Sequence, residues 1–218
     1  MSTNKTTPFI VIEALDAGGS QTQANLLSER LEQAGNNVLQ LHFPQEDRAT
    51  GRLIYDKFLL YQNKKPFTAR EQVLLFVQDF FSRSEDIITA INAGSVVVSD
   101  RFYTSTMAYQ TIGLAGAARR KMIDWITWLC VQGKPALPKP TRVIFLDTPV
   151  EVSLKRLKGK KKDFHENRAM LTKFRDSYIK LARAQKWVVV QSVDKAGVER
   201  TREDMHQEIW RHVQKLIS

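Results

Sequence analysis

Five short runs of β-branched or apolar residues recur along the chain with longer helical stretches between them, and this alternation constrains the fold more than any other feature. The runs begin at Phe9 (Phe-Ile-Val-Ile) and continue at Val38 to Phe43, Ser95 to Ser99, Arg142 to Leu146 and Trp187 to Gln191. Runs that are apolar at successive positions suit strands covered on both faces. Between them lie Asn25 to Ala34, closed by Gly35, Ala69 to Asn92, closed near Gly94, Ala117 to Val131, closed near Gly133, and Val150 to Leu157. Glycine just past a periodic stretch supplies the left-handed residue on which helices commonly end. The order βαβαβαβαβα predicts an α/β fold with a five-stranded, parallel, doubly wound sheet flanked by helices. No internal repeat or low-complexity linker interrupts the pattern.

At 218 residues with 43% hydrophobic content, the chain buries a full core, and residues 1–218 are expected to form a single domain. Thirty-three basic against 23 acidic residues leave a net charge of +10, which favours an anionic partner: a nucleotide, a nucleic acid or an acidic membrane surface. No recognition-helix or stacking-sheet motif accompanies that charge, so no nucleic-acid partner is expected. Cys130 is the only cysteine, which precludes an intramolecular disulfide and a CxxC metal site and suits a reducing compartment; it reads as buried filler. Met1 to Pro8 is polar, and Glu13 breaks the apolar run that follows. Neither a secretory leader nor a membrane span is read there, and a cytoplasmic location without a membrane partner is expected. Trp125 and Trp128 lie one helical turn apart and read as core or as a dimer face.

In doubly wound sheets, ligands bind beyond the carboxyl ends of the strands, so the segment after each strand carries the chemistry. After the first comes Ala14-Leu-Asp-Ala-Gly-Gly-Ser-Gln-Thr22, a strand, glycine turn and helix in the manner of a phosphate-binding loop. Against the pattern G-x-x-x-x-G-K-[ST], Ala14 takes the first glycine and Gly19 keeps the second. Ser20 stands where the lysine belongs and Gln21 where the hydroxyl belongs. A plain tight turn accounts for these residues as well. As a phosphate site, Ala17, Gly18, Gly19, Ser20, Gln21 and Thr22 offer backbone N–H groups and the positive end of a helix, with hydroxyls at Ser20 and Thr22. After the third strand comes Asp100-Arg101. In one reading the carboxylate holds a magnesium-bound water while the guanidinium forks onto phosphate oxygens; in the other the two form a surface ion pair or helix cap.

The run Ser99-Asp-Arg-Phe-Tyr-Thr-Ser-Thr-Met-Ala-Tyr-Gln110 resembles the characteristic segment of the thymidylate kinase family, Asp-Arg-(Tyr/Phe)-x-x-Ser-x-x-Ala-Tyr-Gln, at every position. Val11-Ile-Glu-Ala-Leu-Asp16, Phe43-Pro44 with Gly51-x-x-Ile54, Leu74-Leu-Phe76, Leu137-Pro-Lys-Pro140, Leu146-Asp-Thr-Pro149 and Lys162-Asp-Phe-His-Glu166 resemble the family in the same order. The resemblance implies a nucleoside monophosphate kinase fold with a mobile lid near 156–166, moving the γ-phosphoryl of ATP to dTMP with Mg²⁺, as a homodimer. Within it, Asp16 holds the 3′-hydroxyl, Phe76 stacks on thymine and Arg101 grips the acceptor phosphate. Asp100 and Thr22 organise magnesium, while Phe43, Ser105, Tyr109 and Gln110 line the base and sugar pocket. Arg156, Lys160, Lys161 and Lys162 belong to the lid over ATP, with His165 entering the helix beyond it.

The departures from the family matter equally. The arginine that reads the thymine carbonyl is replaced by Phe80, leaving Arg83 as a possible substitute. The arginine after Phe-Pro is replaced by Gln45 and Glu46, with Arg48 nearby, and the loop lysine is Ser20. A cation at the transferred phosphate stabilises transition-state charge, so its loss without replacement lowers the rate by orders of magnitude. Three expectations follow: a working dTMP kinase whose replacement cation comes from the lid, a catalytically weak or silent relative that still binds a nucleotide, or a kinase for a different (deoxy)nucleoside monophosphate.

Overall fold

The computed structural model describes residues 7–60, 67–158 and 167–217. Strands β1 (Phe9–Ala14), β2 (Val38–His42), β3 (Val96–Asp100), β4 (Arg142–Asp147) and β5 (Val188–Gln191) form one parallel sheet in the order β2-β3-β1-β4-β5. With β1 central, the loops that follow β1, β3 and β4 gather at one edge. The order turns back on either side of β1, and that is where doubly wound sheets open a crevice.

Residues alternate between the two faces of β1. Ile10, Ile12 and Ala14 meet Val96, Val98, Ile144 and Leu146 beneath helices α1 (Ser20–Gln33) and, at the carboxyl end, Arg202–Ile217. Phe9 and Val11 face the opposite way with Val97 and Phe145. That second layer is built from α3 (Ala69–Phe81), α5 (Tyr103–Tyr109), α6 (Gly116–Thr127) and α8 (Arg168–Gln185), and it follows α2 (Ala49–Ile54) and α4 (Ser84–Asn92) in making up the helical cover. Among the described residues the remaining helical segments include a widened turn, Tyr55–Leu59, that continues α2, then α7 (Val150–Leu157) and α9, the helix introduced above as Arg202–Ile217. The central strands β1 and β3 are buried on both faces, which is why they read as nearly continuous apolar runs, while the edge strands β2 and β5 are partly exposed.

Three sequence expectations shift. Ala69 to Asn92 is two helices, because the Ser82 hydroxyl donates to the Asp79 carbonyl (2.7 Å) and the Ser84 hydroxyl to that of Phe81 (2.8 Å), side-chain bonds that compete with helix continuation. Asp100 is the last residue of β3, not a residue beyond it, whereas the first helix begins at Ser20, where the phosphate-loop reading put it. Trp128 is 54% exposed and opens a widened turn, Trp128–Gln132, that continues α6, so it is not core. Cys130 is buried as expected, and burial pushes its thiol up to about 12. Among the described residues no helix is long and apolar enough to cross a membrane.

Candidate active site

Beyond β1 the chain turns through Leu15 to Gly19, with the Gly18 N–H donating to the Leu15 carbonyl at 2.8 Å. A Cβ at Gly18 would stand 2.7 Å from the Ala14 Cβ and 2.8 Å from the Leu15 carbonyl oxygen, so only glycine closes the turn. Gly19, at φ +101°, precedes α1, and no side chain caps that helix. Its first N–H groups therefore remain available to an anion. Ala17, Gly18, Gly19, Ser20, Gln21 and Thr22 all line a broad polar cleft of about 900 Å³.

Arg156 of α7 lies across this loop. Its Nη1 donates to the Ala17 carbonyl (3.3 Å) and stands 3.8 Å from where a Cβ on Gly19 would be, while its Nη2 pairs with Glu199 (3.0 Å). Lys155 joins the same carboxylate at 3.3 Å, and these two hydrogen-bonded cations hold Glu199 below the usual carboxylate range. Arg200, Thr201 and Arg202 line the same cleft from the segment after β5. Sequence reasoning missed these residues, and the only signal available was their place after a strand.

At the end of β3, Asp100 lies opposite His42 of β2 in the strand register. His42 Nδ1 and Asp100 Oδ2 are 2.8 Å apart, and Asp100 Oδ1 is buried without a partner among the described residues. Arg101 adopts φ +64°, a conformation costly for a non-glycine residue and characteristic of functional sites. Its N–H donates to the Ile12 carbonyl (2.9 Å), and its carbonyl accepts from the Ser99 hydroxyl (2.6 Å). So held, the side chain turns back to Asp16 Oδ1 (2.6 Å) and the Tyr109 hydroxyl (3.1 Å). Burial alone would lower the affinity of this guanidinium for its proton, but Tyr109 and Asp16 more than offset it and keep the group charged.

A second cleft, about 220 Å³ and largely apolar, is lined by Phe43, Pro44, Phe58, Phe76, Phe80, Ser105, Thr106, Tyr109 and Gln110. Phe76 stands edge-on to Phe58 (5.9 Å between centroids), and Phe80 packs edge-on against Phe43 at 5.0 Å. Four residues, Asp16, His42, Tyr55 and Arg101, line both clefts and mark their junction. Burial, then the neighbouring Glu46 carboxylate, push the Tyr55 hydroxyl well above the ordinary range, so it remains a donor.

Beneath the apolar cleft lies Glu13, fully buried, which sequence reasoning treated only as a break in an apolar run. It accepts hydrogen bonds from the hydroxyls of Thr104 (2.5 Å), Ser105 (2.5 Å) and Tyr178 (2.9 Å) and from the Phe102 N–H (3.2 Å). Burial raises its pKa against the pull of Ser105, Thr104 and Arg101. The carboxylate thereby ties β1 to α5 and α8 under the pocket.

Two predicted cations are elsewhere. Arg48 points to the Ser82 carbonyl (3.3 Å) and Asp86 (3.2 Å), and Arg83 pairs with the same Asp86 (3.1 Å); neither lines a cleft. Asp86 in the first turn of α4 draws both away. Lys160, Lys161, Lys162 and His165 lie outside the described residues.

The family model for thymidylate kinase matches residues 12–209. Among curated proteins, a probable thymidylate kinase of Pyrococcus horikoshii is 33% identical over 180 residues, covering 80% of this chain and 82% of its own length. A thymidylate kinase of Sulfurihydrogenibium is 30% identical over 180 residues, covering 82% and 84%. The solved thymidylate kinase of Candida albicans superposes with a TM-score of 0.76 at 22% identity, over 96% of this chain and 92% of that one, and so shares the fold.

Proposed function

The chain belongs to the thymidylate kinase family, and we propose that it transfers the γ-phosphoryl group of ATP to dTMP, giving dTDP and ADP. The observation that carries this reading is the junction of an apolar cleft and a polar, arginine-lined cleft at Asp16, His42, Tyr55 and Arg101. A nucleoside monophosphate in the first cleft directs its phosphate to Arg101, with the ring against Phe76 and the sugar hydroxyl at Asp16. ATP lies in the second, its phosphates on the N–H groups of Gly18 to Thr22. An acceptor phosphate oxygen then attacks the γ-phosphorus in line, and the bond to the β,γ-bridging oxygen breaks.

Because such transfers rest on positioning and electrostatics, what matters is where the positive charge arrives. Arg156 brings a guanidinium to the loop that lacks its lysine, and Arg101 holds the acceptor side. Asp100 fits a magnesium role: one carboxylate oxygen is held by His42, and the other is buried and has no partner among the described residues. Mg²⁺ is commonly held by one or two carboxylates together with substrate phosphates, and it neutralises charge between the β- and γ-phosphates. Thr22 offers a hydroxyl from the same cleft.

The protein is further proposed to act in the cytoplasm, with its net charge of +10 serving nucleotides rather than nucleic acid, and to pair as a homodimer. Exposed Leu74 of α3 and Trp128 beside α6 support that pairing, as does Trp125, over which the Arg70 guanidinium stacks at 5.8 Å. The direct test is ADP formation with ATP, Mg²⁺ and a panel of nucleoside monophosphates. Turnover dependent on dTMP supports the reading; dTMP binding by calorimetry with no ADP above background refutes it in favour of a silent nucleotide binder.

A further inference from the structure

The family's arginine for the thymine carbonyl is Phe80 here, buried against Phe43 and Phe102, so base discrimination must come from the remaining polar groups of the apolar cleft. Two of its lining residues carry buried side-chain oxygens with no partner among the described residues, Thr106 Oγ1 and Gln110 Oε1. A hydroxyl donates or accepts and imposes no polarity. An amide imposes one only if its orientation is fixed.

It is fixed here by a relay that starts at a backbone carbonyl. The Phe67 carbonyl can only accept, and it takes a hydrogen bond from Gln72 Nε2 at 2.7 Å. The Gln72 Oε1 is thereby turned the other way, where it accepts from Gln110 Nε2 at 3.2 Å. Gln110 is left with its Oε1 unpaired. Turning the Gln72 amide over would set carbonyl against carbonyl at Phe67 and N–H against N–H at Gln110, and turning Gln110 over would set its carbonyl against that of Gln72; such network constraints are what determine amide orientation.

We propose that Gln72 is a specificity-determining positioning residue: by fixing the Gln110 carbonyl as the acceptor of the apolar cleft, it selects a pyrimidine bearing N3–H over cytosine, whose N3 is a lone pair. The inference rests on the reading of that cleft as the nucleoside monophosphate site. A buried carbonyl that meets an N–H is satisfied, whereas one that meets a lone pair is not, a difference of roughly tenfold or more in affinity.

The experiment is calorimetric titration of the full chain with dTMP, dUMP and dCMP, without donor. The native protein binds dTMP and dUMP at least about tenfold more tightly than dCMP. Gln72→Glu, which keeps the acceptor for Gln110 Nε2, retains that ratio. Gln72→Lys, which offers only donors, turns the Gln110 amide over and brings the ratio to one or inverts it, while dTMP and dUMP still bind alike. Gln72→Leu, which removes the polar end altogether, lowers the ratio without inverting it and stands in if the lysine variant does not fold. Native dCMP binding as tight as dTMP, or an unchanged ratio in folded Gln72→Lys or Gln72→Leu, overturns the proposal. Failure to make ADP with tight dTMP binding overturns the kinase reading and leaves this one standing.

Discussion

Replacing Arg156 by alanine separates electrostatic compensation from mere structural support. The Arg156 Nη1 lies against the Ala17 carbonyl and 3.8 Å from where a Cβ of Gly19 would be, on the loop whose N–H groups face the donor cleft. A phosphate seated there comes within about 4 to 5 Å of the guanidinium, and at an effective dielectric near 20 that charge is worth roughly 3 to 4 kcal/mol. Loss of a comparable preorganised donor costs roughly 10² to 10³ in turnover. Its structural partner Glu199 is at the surface, and exposed ion pairs contribute little to stability, so the thermal midpoint should hardly move. The assay is steady-state ADP release with both substrates varied, read beside a melting curve. The expected result is a fall in kcat of about a hundredfold or more with dTMP affinity preserved. Ser20→Lys in the Arg156→Ala background should recover part of the loss, since it returns a cation to the loop from the other side. A kcat within about threefold of native would refute the argument that Arg156 is the replacement charge.

Gly18→Ala places a methyl 2.7 Å from the Ala14 Cβ and 2.8 Å from a backbone oxygen, neither of which is the end of a flexible side chain. It should destabilise the fold by about 1 to 3 kcal/mol in urea titration and raise the KM for ATP more than that for dTMP; an unchanged midpoint would mean the loop relaxes freely. His206 of α9 is 4% exposed, and burial, then the Arg30 charge, hold its imidazole below the ordinary value of 6.5. The unfolded chain therefore takes up this proton first, and the contribution present above pH 6.5 is lost as the pH falls from there through the lower folded value. Urea midpoints between pH 7.5 and 5 should decline more steeply for the native chain than for His206→Gln, and parallel curves would sink the assignment.

The strand runs were legible because strands covered on both faces read as short, β-branched apolar runs, and their length and the glycines between them set them apart from the helices. Strand ends were less so: His42 and Asp100 are polar yet still pair in the ladder, because the crevice they face belongs to the carboxyl edge of the sheet. The Asp100-Arg101 pair was found from its place at a strand end, Tyr109 and Gln110 from the resemblance of the run that follows it and Phe76 from a separate motif, and the structure brings all of them to the two clefts. Arg48 and Arg83 failed for a different reason. A cation near a motif in sequence is free to turn toward whatever acid the fold supplies, and a single carboxylate, Asp86, was enough to take both. Arg156 was named as a lid cation through the family resemblance, but its contact with a loop about 140 residues earlier in the chain is one no local pattern encodes. Glu13 and Gln72 lie furthest from sequence view, for each acts by constraining another side chain. Glu13 sets the hydroxyls of Thr104, Ser105 and Tyr178, and Gln72 sets the direction of an amide. Groups that touch a substrate tend to recur as motifs, whereas groups that orient them need only the right acceptor in the right place. That is why the missing arginine and lysine could be read as losses from the sequence and Arg156 named as a lid cation, while the contacts that aim Arg156 and Gln110 are visible only in the packing.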